Sequence, residues 1–221
     1  MPGRSFFLRW LAGICCAAIF CVALHGARAA TATDMQGAIA ALENQWATVS
    51  YHTPKETQEA AFQTLSRQAE DLARQFPGEA LPLAWRGIIL CSWAEAQGGL
   101  QALDHVIAAR DVFLQAKKID AHIMNGTVDG YLGTLYHAVP GWPIGFGDNK
   151  KAVAYFHQAI SQNPPSIDIG FLYGHYLFEM GDYPQARQYL TGALAMPLRP
   201  DHVAYDNGRR QDISETLAKM K

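Results

Sequence analysis

Cysteine is nearly missing from the part of this sequence that can fold. Of its four cysteines, Cys15, Cys16 and Cys21 lie in an apolar N-terminal stretch, which leaves Cys91 alone. A single thiol can neither close an internal disulfide nor build a cysteine-rich metal site. Its neighbours Ile88, Ile89, Leu90 and Trp93 mark it as a small buried hydrophobe rather than a reactive nucleophile. The histidines are scattered, with no His-x-x-x-His pair and no His-Glu-x-x-His motif, so no metal ligands are assigned. There is no Gly-x-Ser-x-Gly elbow and no Walker spacing, and adjacent acids such as Glu70-Asp71 suit a solvated helix face better than a catalytic dyad. The sequence therefore offers no catalytic residue and no cofactor-binding residue, and it does not read as an enzyme. Basic residues are also in deficit, 18 against 20 acids, which removes the electrostatic footprint of a nucleic-acid binder.

Long hydrophobic runs are scarce as well. The only marked one, Trp10 to Leu24, is shorter than the roughly twenty residues a spanning helix needs. Arg4 and Arg9 precede it, and Ala27-Arg28-Ala29 follows with the small-x-small pattern of a signal cleavage site. Residues 1–29 are thus expected to be a secretory signal, cut after Ala29 or Ala30, leaving a periplasmic or secreted protein with no stable membrane span. A lipid anchor is not expected, because Leu11-Ala12-Gly13 is separated from Cys15 by Ile14.

What remains is helix after helix. Apolar periodicity and breakers place helices at Met35–Ser50, Pro54–Phe76 (capped by Thr53), Leu81–Gln97 and Leu100–Lys118. Others follow at Val128–His137, Asn149–Gln162, Ile167–Met180 and Pro184–Ala195, with a short last one over Arg209–Met220. Paired helices on short connections call for a search for repeats. In the clearest unit, Gly174 and Leu177 stand in one helix and Ala186, Leu190 and Ala193 in the next, joined by the tight turn Gly181-Asp182-Tyr183-Pro184. The small residues let two helix axes approach, and the leucines fill the space beside the contact. Leu132, Gly133 and Tyr136 with Ala152, Phe156 and Ala159 repeat the pattern, and Trp85, Gly87 and Leu90 with Ala109, Phe113 and Ala116 repeat it more loosely. In the middle unit, Tyr136 to Ala152 is seven residues longer than Leu177 to Ala186, so an enlarged turn is expected between His137 and Asp148.

These spacings resemble the tetratricopeptide repeat family, most closely over Tyr131 to Pro197. The resemblance implies an all-α fold for residues 34–221: antiparallel helix pairs, three or four of them, stacked as a short superhelix that binds protein or peptide. A narrower resemblance, carried by Pro143 to Asp148 with Lys151-Ala152 and Phe156, is to the T component of bacterial TRAP-type transporters. That one implies a periplasmic accessory component that takes a hydrophobic small ligand.

The stretch Pro140-Gly141-Trp142-Pro143-Ile144-Gly145-Phe146-Gly147-Asp148 is the most unusual in the chain. Its glycines and prolines forbid regular structure, while Trp142, Ile144 and Phe146 offer apolar surface either to a partner or to the end of the repeat core. Asp148 is placed to cap the helix that begins near Asn149. Tyr131, Tyr155, Phe171, Tyr173 and Tyr176 either line the binding face of the stack or serve ordinary packing. The candidate partner-binding residues are therefore Trp142, Ile144, Phe146, Tyr136, Tyr173 and Tyr176.

Overall fold

A computed structural model describes residues 34–162 and 166–220. The predicted signal segment lies outside the described residues. Contact density divides the chain into residues 1–40 and a larger unit, 41–221. Residues 34–40 are helical; everything that follows concerns the larger unit.

That unit is all helical, with no strand among the described residues. Helix α1 occupies 41–52, followed by α2 (Lys55–Gln75), α3 (Ala80–Gln97), α4 (Ala102–Ile119), α5 (Thr127–Ala138), α6 (Asn149–Ser161), α7 (Ile167–Glu179), α8 (Tyr183–Leu194) and α9 (Val203–Lys219). The dominant packing partners beyond α2·α3 are sequence neighbours joined as hairpins: α3 with α4, α5 with α6, and α7 with α8.

Each hairpin is closed by the same contact, a glycine on the first helix against a large side chain on the second. A β-carbon on Gly87 would overlap the Phe113 ring, one on Gly133 would come within 3.0 Å of Phe156, and one on Gly174 within 2.7 Å of Leu190. Phe113, Phe156 and Leu190 are fully buried there. Burying one such side chain is worth about 2–3 kcal/mol, and the missing methyl is what allows the burial. Ala116, Ala159 and Ala186, also fully buried, keep the second helices close.

The connections follow local chemistry. Gly98 ends α3 with φ of 65°, and Gly181 carries the α7–α8 turn with φ of 79°. Asp182 accepts from the Gln185 amide to cap α8, and Ser166 does the same for α7 through Ile169. Two expectations are corrected. Thr53 does not cap α2; Pro54 takes that position, and the Thr53 hydroxyl instead donates back to the Thr48 carbonyl at 3.3 Å. The last helix starts at Val203 rather than Arg209, and Gly208 lies inside it, where its missing side chain makes room for the Tyr51 ring.

Candidate functional site

Two features stand apart from the repeat packing: a braced turn between α5 and α6, and a buried ionic network along α9.

The turn begins where α5 ends at Ala138. Its neck is drawn together by the Gly147 amide donating to the Pro140 carbonyl at 3.0 Å and by the Asp148 amide donating to the Tyr136 carbonyl at 2.8 Å. Within the loop, the Ile144 and Gly145 amides both donate to the Gly141 carbonyl. The neck leaves no room for side chains: a β-carbon on Gly147 would overlap the Val139 carbonyl, and one on Gly145 would sit 2.6 Å from that of Pro140. The Asp148 carboxylate then accepts from the Lys150 and Lys151 amides at 3.0 and 3.1 Å, as the sequence predicts for an N-cap.

The six candidate residues divide by role. Phe146 is the root of the loop, with the Arg110 guanidinium 4.3 Å above its ring and the Tyr136 ring edge-on at 5.3 Å. Tyr136 is buried; it stacks on Tyr155 at 5.5 Å and lies under the Lys151 ammonium. Tyr173 and Tyr176 belong to the layer between hairpins, both ringed against Phe156, with Tyr176 also meeting His137. Trp142 and Ile144 sit at the tip, 90% and 59% exposed. The structure thus brings Tyr136 and Phe146 together under the loop, packs Tyr173 and Tyr176 elsewhere, and projects Trp142 and Ile144 into solvent. An indole held out of contact by a loop so tightly tied is the reverse of core packing.

The second feature has no signature in the sequence. Helix α9 packs against α7 and α8, and its side chains reach on to α1, α3 and α5. Tyr205 meets Trp46 of α1 at 5.0 Å and Trp85 of α3 at 6.1 Å, and its hydroxyl donates to Asp168 of α7 at 2.5 Å. Arg209 donates to the Tyr131 hydroxyl of α5 and the Tyr205 hydroxyl, both at 3.1 Å, pairs with Asp212 at 3.2 Å, and lies 4.5 Å over Phe171. Arg199 bridges Asp206 and Asp168. Two further ties join α9 and its lead-in to α1: His202 to Glu43 at 2.5 Å, and the Tyr51 hydroxyl donating to Asp212 at 2.9 Å. Gly208 makes the last approach possible, since any β-carbon there would overlap the Tyr51 ring.

Asp168, Asp206 and Arg209 are all buried, a costly arrangement unless each charge is paired. Burial opposes the charge on Arg209, yet Tyr205, Tyr131, Tyr51 and Asp168 around it outweigh that cost and hold the guanidinium well above its ordinary range. Burial lifts the Tyr131 phenol to about 12 and raises Tyr205 and Tyr51 as well, so these hydroxyls stay protonated. The network ties α9 and its lead-in to α1, α5 and α7. Of the aromatics expected either on the binding face or in ordinary packing, Tyr131 and Phe171 are committed to Arg209.

Elsewhere, an open groove between α1 and α2 is lined by uncharged residues including Asn44, Thr48, Val49, Ala61 and Leu65. No group of three or more metal-binding side chains occurs among the described residues.

Helix pairs closed by a repeated small-against-large contact define a helical-repeat fold. The tetratricopeptide repeat family model matches residues 144–202, from the tip of the enlarged turn past α8 to the lead-in of α9, and this part of the chain is similar to a tetratricopeptide repeat. No curated protein matches the sequence.

Proposed function

We propose that the protein is an exported scaffold, without catalytic activity, that binds a protein partner through the tip of the α5–α6 turn. One observation carries the reading: Trp142 is 90% exposed on a loop whose neck, root and following helix are all fixed. A large aromatic presented rigidly loses little side-chain freedom on docking, and tryptophan is among the residues that most often dominate interface energy. The alternative, a periplasmic accessory component enclosing a hydrophobic small ligand, draws less support, because Tyr136 and Tyr176 are already packed against aromatic neighbours.

Capture from a cell-envelope extract tests the docking role. Immobilised wild-type protein retains one stoichiometric partner, and Trp142→Ala releases it. Retention by both forms refutes the assignment. Export is tested separately by N-terminal sequencing of the secreted fraction, where a first residue of Ala30 or Thr31 is expected and a start at Met1 contradicts it.

A further inference from the structure

The tip of the α5–α6 turn is not isolated. The turn between α3 and α4 presents Leu100 at 82% exposure. The two turns adjoin through Leu103, whose side chain lies 3.6 Å from where a β-carbon of Gly145 would be, and through Arg110 of α4, seated over Phe146. Neither turn carries a charge: residues 97–103 and 140–147 contain no Asp, Glu, Lys or Arg. The flanks are charged and of opposite sign. Glu95 and Asp104 are exposed on either side of the Leu100 turn, and Lys150 and Lys151 are exposed just past the Trp142 turn.

Two adjoining uncharged turns, one flanked by acids and the other followed by lysines, with the Arg110 between them already paired to Asp111, form a surface that can complement a second copy of itself once reversed. We propose that this two-turn patch is where a second copy of the chain docks. A two-fold axis would set Leu100 of one copy against Trp142 of the other and the acids of each against the lysines of its mate. The inference rests on reading Trp142 as a docking residue and names the partner. Isologous pairing of this kind is the commonest closed assembly of soluble proteins. A lipid surface fits less well, because an anionic headgroup layer that attracts Lys150 and Lys151 repels the exposed Glu95 and Asp104 beside the adjoining turn. Trp142, Leu100 and Ile144 together supply about 400 Å² of apolar side chain per copy, roughly half of what each side of a standard interface buries. The pairing is therefore reversible and depends on the flanking charges for its remainder.

Sedimentation equilibrium of the exported protein at about 1–200 µM tests this, a range chosen for an interface of this size. Wild type is expected to pass from monomer to dimer across the series, with stronger association at low salt. Trp142→Ala raises the dissociation constant about 30-fold or more. The pair Lys150→Glu/Lys151→Glu is monomeric alone, as is Glu95→Lys/Asp104→Lys, and an equimolar mixture of the two dimerises again. All these side chains are exposed, and an unchanged circular dichroism spectrum establishes that each variant is folded. A wild type that stays monomeric throughout overturns the proposal. If that monomer still captures a different protein through Trp142, the docking role survives and only the partner is wrong; if it instead co-sediments with phosphatidylglycerol vesicles through Trp142, a lipid surface replaces the second copy. A dimer indifferent to Trp142→Ala, or a charge-swapped mixture that fails to pair, also overturns it.

Discussion

Replacing Arg209 with methionine removes the cation at the centre of the α9 network while keeping much of its length. The side chain now pairs with Asp212 at 3.2 Å, approaches Asp168 at 3.5 Å, and donates to two phenols at 3.1 Å. Without it the Asp168 carboxylate, 4% exposed, keeps the Tyr205 hydroxyl and the more distant Arg199 guanidinium at 3.7 Å. Removing one member of a buried pair costs about 3–5 kcal/mol, and the remaining Arg199 favours the lower end, about 3 kcal/mol. For a chain of this size that is a fall in Tm of about 6–12 °C. Differential scanning calorimetry at pH 7 measures it directly. The double variant Arg209→Met/Asp168→Asn, which also discharges the stranded acid, should recover about 1–2 kcal/mol of the loss. A Tm within about 2 °C of wild type, or strictly additive effects, would refute the claim that these charges depend on one another.

Other consequences are open to measurement. Gly87→Ala forces a methyl into the Phe113 ring and should lower stability by about 1–3 kcal/mol in urea titrations; an unchanged midpoint would mean that the shared hairpin contact is not a tight one. Asp148→Ala removes the cap of α6 and should cost about 1 kcal/mol by the same assay, while hydrogen exchange at Lys150 and Lys151 quickens. His105 stacks on Trp93 at 3.7 Å, and burial, outweighing Asp104 and Glu59, lowers its pKa from the ordinary 6.5. The folded state thus favours the neutral ring, and the stability it contributes is present above that value and lost as pH falls below it. His105→Phe should flatten this part of the stability profile between about pH 7 and 5, and an unaltered slope would count against it. Cys91, its thiol pushed well up by burial, should resist alkylation in the native protein and react in denaturant; rapid native labelling would contradict that.

The repeat contacts were legible because they are local. Gly133 with Phe156 and Gly174 with Leu190 lie within one helix–turn–helix, where a fixed separation puts a small and a large residue face to face. Asp148 was legible for the same reason, since an N-cap is decided within three residues. The enlarged turn showed itself as a plain excess of length between Tyr136 and Ala152. Which of its aromatics would point outward did not show, because Phe146 and Trp142 differ in fate through Arg110, far away in the sequence. The α9 network was beyond reach for that reason too. Its partners are separated by 37 residues for Tyr205 and Asp168, and by 78 for Arg209 and Tyr131. Each acid or arginine taken alone reads as a solvated helix face. Gly208 gives no sign in the sequence of the Tyr51 ring that it accommodates.

Docking through the α5–α6 turn is tested most directly by one comparison: the affinity of the captured partner for wild type and for Trp142→Ala, with the melting curves of the two proteins superimposed. An exposed indole contributes nothing to the fold, so Tm should be the same while affinity falls about 30-fold or more. Equal affinities with equal melting curves would show that the α5–α6 turn is not where this scaffold binds.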